Sequence, residues 1–251
     1  NTVTPELFER YPDAAALGTA RREDLEAILR PLGFQRAKAG HLLGIGQVLD
    51  DAQVPDAAAP LIVEVGAGTG YYLSHVLDSI ANSRGIGIDV SVPAAKLLAK
   101  CHPKVGAVVA DAWTRLPIHD ESVDAIAVVF APRNASEFAR ILKPHGEVIV
   151  VTPNEGHLSE LRAPLGIIDV EKGKIDRMIA QASGHLVPVA EPATIEFEMT
   201  LDQDSIATQI GMSPSARHIH PDILSERIAT LDDTMVVTAR ASVTRLKRAN
   251  G

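Results

Sequence analysis

The chain has very little cysteine, few aromatic residues and no long hydrophobic run. Its one cysteine in 251 residues, Cys101, excludes both an internal disulfide and a cysteine-based zinc site, and we expect no bound metal. Aromatic residues make up 4% of the chain, so a core of Val, Ile, Leu and Ala is expected. No apolar stretch approaches the roughly 18 residues needed to span a membrane, which predicts a cytoplasmic protein without a membrane partner.

Positive charge is also in the minority. The chain has 24 Lys and Arg residues against 32 Asp and Glu residues, which gives a formal net charge of −8. This balance argues against a broadly basic nucleic-acid surface but leaves room for a local basic patch. The length and the 46% hydrophobic content are sufficient for one large domain, or for one domain with an appendage.

Short apolar segments alternate with helical segments from Leu61 onward. Strands separated by helices predict parallel crossover units, whereas the alternating polar and apolar residues of 194–201 and 234–246 predict an antiparallel closing pair. The other predicted strands are 61–65, 85–89, 105–110, 125–130 and 147–151, and the predicted helices are 71–82, 93–100, 135–142, 202–210 and 221–231. Helical periodicity over 24–32 and 36–49, followed by a proline-containing linker, predicts a helical segment 1–58 before a domain 59–251.

A glycine-rich turn follows the first predicted strand. Gly66, Gly68 and Gly70 have the spacing G-x-G-x-G, one residue tighter than the dinucleotide fingerprint that receives a pyrophosphate. Glu64, just before these glycines, would repel a phosphate and attract an ammonium group. S-adenosylmethionine has an α-amino group and a sulfonium but no phosphate, so the pattern favours this ligand over NAD.

Two further acids follow the next two strands. Asp89 ends the second strand, where a carboxylate can accept hydrogen bonds from both ribose hydroxyls. Asp111 follows the third strand, where it could accept from the adenine amine while the Ala112 N–H donates to the ring. Three acids in this order predict an adenosylmethionine pocket, although Glu64 or Asp111 taken alone could be a helix cap.

These segments resemble those of class I methyltransferases, and more narrowly those of the 23S rRNA guanine-N1 methyltransferase family, which includes macrolide-resistance methylases. The fold implied is α/β: a Rossmann-like class I methyltransferase with a mostly parallel sheet and antiparallel C-terminal strands, preceded by a short helical N-terminal segment. The matching segments are 64–72, 87–91, 110–113, 115–117, 130–134, 137–140, 142–146, 152–153, 157–161 and 212–216.

The resemblance implies transfer of a methyl group from S-adenosylmethionine to N1 of a guanine in 23S rRNA, a reaction of the antibiotic-resistance kind. The cofactor is then S-adenosylmethionine and the partner is 23S rRNA. The residues expected to bind the cofactor are Glu64, Gly66, Ala67, Gly68, Gly70, Tyr71, Tyr72, Asp89, Val90, Asp111, Ala112, Phe130 and Ala131.

Three residues are candidates for the catalytic part of the site. Asn134 follows the fourth strand, where many methyltransferases hold the acceptor, and its side chain could accept a guanine hydrogen. Arg133 could meet a phosphate or a base edge, and His157 could accept a proton. Alternatively, Asn134 caps the helix that follows it, and His157 is a surface or helix-end residue.

The chain departs from the family at its N-terminus. The family normally opens with a zinc-binding module that helps to hold the RNA, and the cysteines of that module are missing. Two other functions are therefore kept open: a small-molecule methyltransferase, and a non-catalytic nucleic-acid-binding protein with a vestigial methyltransferase fold. Both a monomer and a homodimer are compatible with the sequence.

The segment up to about Pro55 resembles helices of endonuclease III and adenine glycosylases instead, through 8–13, 25–32 and 33–39. It ends before that family's DNA-binding hairpin, catalytic aspartate and iron–sulfur cysteines, so no glycosylase chemistry is expected. We expect a structural cap, with a nucleic-acid-binding remnant as the alternative.

Overall fold

The computed structural model describes residues 59–249, together with residues 10, 19–21, 23, 24 and 27. The predicted helices over 24–32 and 36–49, and the linker after them, lie outside the described residues apart from these isolated positions. Among the isolated positions, Arg10 and Asp24 form an ion pair at 3.0 Å.

The described residues form one eight-stranded sheet in the order β3-β2-β1-β4-β5-β8-β6, with β7 paired to β8. The pairs β3–β2, β2–β1, β1–β4 and β4–β5 are parallel, and β8 is antiparallel to β5, β6 and β7. This arrangement confirms the predicted fold class, a mostly parallel sheet closed by antiparallel C-terminal strands. The strands are β1 Leu61–Val65, β2 Arg84–Asp89, β3 Val105–Val109, β4 Val123–Val129, β5 Leu142–Pro153, β6 Leu186–Pro188, β7 Ala193–Asp202 and β8 Thr234–Arg248.

The helices between these strands follow the prediction with local differences. The first ends at Ser79 and not at Asn82, because Asn82 has a positive φ of 58° and the Ser83 hydroxyl donates to the Ile80 carbonyl. The helices Arg162–Leu165 and Lys174–Ala182 and the strand β6 were not predicted. The helices are α1 Tyr71–Ser79, α2 Val92–Leu98, α3 Ala135–Ile141, α4 Arg162–Leu165, α5 Lys174–Ala182, α6 Gln203–Gly211 and α7 Pro221–Ile228, with 3-10 turns at Ser159–Leu161 and Pro214–Arg217.

The sheet has a hydrophobic core on each face, because successive strand residues point to opposite sides. On one face, α1 packs through Leu73 and Leu77 against Ile149 and Val151 of β5. On the other face, α3 and α5 pack against the alternate β5 residues, Val148 and Val150. Burial on both faces explains why β1 and β4 are apolar apart from Glu64 and Asp124.

A third hydrophobic core lies beyond the carboxyl end of β5. The strand β8 pairs Ala241 with Pro153, the last residue of β5, so residues 234–240 of β8 continue past that end with β7. The 3-10 turn Ser159–Leu161 and the helices α4, α6 and α7 pack there around Phe197, Met199 and Val237. This third core therefore stands on the same side of the sheet as the carboxyl ends of the parallel strands.

No helix within the described residues combines the length and apolar composition needed to cross a membrane.

Candidate active site

The glycine loop between β1 and α1 uses its backbone donors internally. The Gly66 and Ala67 N–H groups donate to the Ile88 carbonyl, at 2.8 and 3.0 Å, and the Gly70 N–H donates to the Ala67 carbonyl. The Gly68 N–H donates to the Asp89 carboxylate at 2.8 Å. A loop that cradles phosphate keeps such donors free for the ligand. The geometry therefore fits a ligand without phosphate, as the sequence predicts.

Asp89 holds the glycine loop and the turn after β2 together. Its Oδ2 accepts from the Gly68 N–H and its Oδ1 from the Ser91 N–H, both at 2.8 Å. Each carboxylate oxygen has a second lone pair, so both can still accept a hydroxyl hydrogen. Val90 beside it is 72% exposed, which leaves an apolar side chain open at the mouth of the site.

Glu64 lies behind the glycine loop and is 1% exposed. Its Oε2 accepts the Leu73 N–H of the first turn of α1 at 3.0 Å, so the acid caps the helix from the preceding strand. Burial, with a smaller contribution from the nearby Asp89 charge, raises the Glu64 pKa to about 8, although the Leu73 hydrogen bond opposes this rise. A buried carboxyl with this pKa is poised to ionise when a cation arrives.

Tyr71 and Tyr72 form the start of α1 and the side of the loop. Their rings meet edge to face with centroids 5.2 Å apart. Burial raises the pKa of both phenols, so both stay protonated.

The loop after β3 places a backbone donor beside the glycine loop. The Asp111 Oδ1 accepts the Trp113 N–H at 2.9 Å, which fixes the turn, and its side chain is exposed. The Ala112 N–H has no acceptor in the part of the chain that the structure describes. Trp113 is 65% exposed. A free N–H and an exposed ring at this position fit the edge and the face of an adenine.

The turn after β4 touches the glycine loop directly. Phe130 has a φ of 52°, which is strained for a large side chain, and it is 45% exposed. In this conformation the chain turns toward the glycine loop. A Cβ added at Gly66 would lie only 2.4 Å from the Cβ of Ala131. Gly66 is thus required by this contact as well as by its own φ of 70°.

Asn134 is a helix cap in this structure. Its Oδ1 accepts from the Glu137 N–H at 3.4 Å and from the Ser136 hydroxyl at 2.9 Å, and its Nδ2 donates to the Ala112 carbonyl at 3.1 Å. Its acceptor oxygen is therefore already occupied twice, so the capping alternative is the one that the contacts favour. The acceptor role for Asn134 stays a prediction.

A buried ion pair that the sequence analysis did not single out holds the Ala112 loop against α3. Glu137 pairs with Arg140 at 2.6 Å, and the Glu137 Oε2 also accepts the Leu116 N–H at 2.6 Å. Arg140 donates to the Leu116 and Ile118 carbonyls. Hydrogen bonds from Arg140 hold the Glu137 pKa below its usual range. The Glu-x-x-Arg spacing on one helix face is the signal that could have identified the pair.

His157 has a structural contact in the loop after β5. Its Nδ1 accepts the Arg240 N–H of β8 at 3.1 Å, and burial, aided by the charge of Arg162, lowers its pKa to about 4. A neutral histidine that accepts at Nδ1 carries its proton on Nε2. His157 therefore ties the loop to β8, and this geometry does not favour it as a proton acceptor.

Arg133 faces the opposite side of the turn from the glycine loop. It lines a cavity of about 320 Å³ between α3, α5 and the sheet. It makes no hydrogen bond or ion pair with the described residues, and burial lowers its pKa. Its guanidinium is therefore free to meet an external anion.

The glycine loop, the Asp89 carboxylate and the Ala112 amide lie at one edge of a doubly wound sheet. The turn after β4, called the acceptor turn below, lies beside them. Together with the matches below, this arrangement defines a class I S-adenosylmethionine-dependent methyltransferase, which transfers one-carbon groups. The family model for a methyltransferase domain matches residues 62–146. The chain belongs to the 23S rRNA guanine-N1 methyltransferase family.

Two relatives establish this membership. One, a Micromonospora griseorubida protein named as a 23S rRNA (guanine-N(1)-)-methyltransferase, is 37% identical over 94% of this chain and 74% of its own length. The 23S rRNA (guanine(748)-N(1))-methyltransferase of Streptomyces fradiae is 34% identical over 94% of this chain and 82% of its own length. The predicted family, enzyme class and cofactor are thereby confirmed.

Other similarities are more limited. The solved structure of the Bacillus subtilis protein YcgJ matches with a TM-score of 0.54 and 17% identity over 82% of this chain and 98% of its own, which shows the fold alone. Endonuclease III of Synechocystis is 33% identical over 37% of this chain and 43% of its own length. This confirms a partial likeness, which covers more of the chain than the segment 1–58 contains.

Proposed function

We propose that this enzyme methylates N1 of a guanine in 23S rRNA. The observation that carries the proposal is the similarity, over 94% of the chain, to two proteins named for that reaction. The strained turn at Phe130, beside the glycine loop, supports it because it is where an acceptor base would meet the methyl donor. We also propose that the chain divides into a helical segment 1–58 and a methyltransferase domain 59–251.

The donor-binding residues follow from the contacts around the loop. Asp89 would accept from the ribose hydroxyls with its free lone pairs, and the Ala112 N–H would donate to adenine between Val90 and Phe130. Glu64 would stabilise the positively charged amino-acid part from behind the loop. The other lining residues we propose are Gly66, Ala67, Gly68, Gly70, Tyr71, Tyr72, Asp111 and Ala131.

The bound cofactor supplies a methyl group on a sulfonium, which makes the carbon electrophilic. The enzyme's own task is to align guanine N1 with that carbon, because alignment accounts for much of the rate of such a displacement. The N1 proton would pass to water as the bond from N1 to the methyl carbon forms and the bond from that carbon to sulfur breaks. The Ala131 carbonyl at the strained turn would orient the guanine by accepting a hydrogen bond from it. Arg133 would hold the base edge or a neighbouring phosphate.

The test is in vitro methylation of unmodified 23S rRNA, followed by nuclease digestion and mass spectrometry. We expect one 1-methylguanosine per rRNA molecule, and a loss of at least a hundredfold in rate for Asp89→Ala. If the enzyme binds S-adenosylmethionine but leaves 23S rRNA unmodified, the substrate assignment is wrong. A small-molecule acceptor then becomes the leading alternative.

A further inference from the structure

A second cavity, of about 240 Å³, opens at the carboxyl end of β5 and lies against the first turn of α5. Its lining includes Asn154 after β5, Lys174 at the start of α5, and Ser242 of β8. None of these residues was assigned a role by the sequence analysis. The cavity lies on the acceptor side of the sheet, because β5 adjoins β4 and its strained turn.

Ser242 brings an unpartnered hydroxyl into this cavity. It is 1% exposed, and its Oγ has no hydrogen-bond partner among residues 59–249. Ala241 and Val243 pack into the core on the α1 face, so Ser242 between them points to the face that carries α5. Its paired residue Thr152 also has a buried, unpartnered hydroxyl. A buried hydroxyl without a partner is unfavourable, and a ligand that forms a hydrogen bond with it would recover this cost.

The start of α5 adds positive charge to this cavity. The residue before it, Gly173, provides no side-chain cap, so the first N–H groups of the nine-residue helix point at the cavity without an acceptor in the described part of the chain. Lys174 is partly buried and forms no ion pair with a described residue. Burial lowers the Lys174 pKa, and the charge of Arg133 lowers it further, while the charge of Glu171 raises it.

Several arginines of the described chain, in contrast, are neutralised by a nearby carboxylate. Arg140, Arg240 and Arg245 pair with Glu137, Glu196 and Glu147. The carboxylates that line the same cavity do not neutralise Lys174 in this way. Glu171 is engaged by Arg177 at 2.6 Å, and the side chains of Glu155 and Asp176 are exposed.

We propose that Lys174, the Ser242 hydroxyl and the first N–H groups of α5 bind a phosphodiester group of the RNA substrate next to the target guanine. The inference rests on the proposed rRNA substrate. Helix N-termini and half-buried cations favour phosphate over a neutral group. Because β4 and β5 lie between β1 and β8 in the sheet, a phosphate bound here would lie on the acceptor side and away from the adenosine.

The test compares Lys174→Ala with Lys172→Ala, an exposed lysine in the preceding loop whose side chain makes no contact with the cavity. The affinity for unmethylated 23S rRNA is measured against salt concentration, and the affinity for S-adenosylmethionine is measured in parallel. We expect Lys174→Ala to weaken RNA binding about tenfold and to reduce the slope of log K against log salt by about 0.7–0.9, the change for one phosphate contact. Lys172→Ala should match the wild type, and Lys174→Arg should retain the slope.

Ser242→Ala separates ligand binding from folding. Because the hydroxyl has no partner, its removal should not lower the unfolding midpoint, yet it should weaken RNA binding several-fold. If Lys174→Ala matches Lys172→Ala on an rRNA that the wild type methylates, the phosphate site is wrong and the proposed function stands. If Lys174→Ala weakens S-adenosylmethionine and not RNA, the anion is the cofactor carboxylate and the inference is overturned. A wild type that neither binds nor methylates 23S rRNA contradicts the proposed function as well.

Discussion

At the scale of single residues, the site depends on a few close approaches that leave no room for substitution. The Ala131 Cβ lies 2.4 Å from the position of a Cβ at Gly66, whereas a Cβ at Gly68 would meet nothing within 4 Å. Both glycines have a positive φ, so both carry a similar conformational requirement. Alanine variants of these two glycines therefore distinguish the effect of backbone strain from the effect of the contact between the glycine loop and the acceptor turn.

Gly66→Ala is expected to lose more than Gly68→Ala. Each alanine costs about 1–2 kcal/mol for the left-handed backbone. Only Gly66→Ala also pushes the acceptor turn away from the loop. We expect its S-adenosylmethionine affinity to fall at least tenfold further than that of Gly68→Ala, measured by isothermal titration calorimetry. Equal losses would show that the Ala131 contact does not shape the site.

Glu64 gives a prediction that depends on pH. With its pKa raised to about 8 by burial, Glu64 is mostly protonated at pH 7 in the free protein. A cation bound beside it favours the charged carboxylate, so cofactor binding at pH 7 should release roughly one proton. Calorimetry in buffers of different ionisation enthalpy measures this release, and Glu64→Gln should abolish it. An unchanged release in the variant would place the titrating group elsewhere.

Glu64 also affects how the free energy of unfolding depends on pH. Because the Glu64 pKa is higher in the folded state, the folded protein binds more protons between pH 4.5 and 8. Glu64 therefore lowers the free energy of unfolding as the pH rises through that range. The charge that serves the cofactor reduces the stability of the free enzyme.

At the scale of elements, the parallel core was predictable and the C-terminal half was predictable only in part. The acids Glu64, Asp89 and Asp111 stand at or just after the ends of β1, β2 and β3, and the carboxyl ends of parallel strands share one edge of the sheet. Periodicity could not show that the Asn134 side-chain oxygen caps α3, because a helix-capping asparagine and a ligand-binding asparagine use the same side-chain atoms. The amphipathic helix α5 was missed although Gly173 and Lys174 mark its start, because no strand pattern flanked it clearly.

The Glu137–Arg140 pair gives a prediction about how α3 holds the Ala112 loop. Glu137→Ala leaves the Leu116 N–H without its acceptor and leaves Arg140 with only the exposed Asp120 as an ion-pair partner, so it should lower the free energy of unfolding by about 3 kcal/mol in urea titrations at pH 7. As a control, Glu121→Gln breaks the exposed pair with Arg248 and should cost less than about 1 kcal/mol. Similar costs for the two variants would show that the loop does not depend on this pair.

The pH dependence of that stability has the opposite sign to that of Glu64. Since the pKa of Glu137 is lowered in the folded state, its contribution is present above the usual carboxyl pKa of 4.5 and is lost as the pH falls through the folded value. The stability difference between the wild type and Glu137→Gln should therefore shrink below pH 4.5. A difference that stays constant down to pH 3 would contradict the role of the carboxylate.

At the scale of the whole molecule, the third core and the sheet edge together enclose the acceptor side. His157 links them through its hydrogen bond to Arg240, at the point where β8 passes beyond β5. The sequence indicates a methyl donor and an rRNA methyltransferase family, but it cannot show that Lys174 of α5 and Ser242 of β8 line one cavity. That proximity arises from the antiparallel return of β8, which brings Ser242 beneath α5.

The central claim is that the edge formed by the ends of β1, β2, β3 and β4 holds the methyl donor. A crystal structure with S-adenosylhomocysteine tests it most directly. We predict the ribose hydroxyls within hydrogen-bonding distance of the Asp89 carboxylate and the adenine edge on the Ala112 N–H. A product molecule bound elsewhere, with Asp89 contacting only Gly68 and Ser91, would contradict the account.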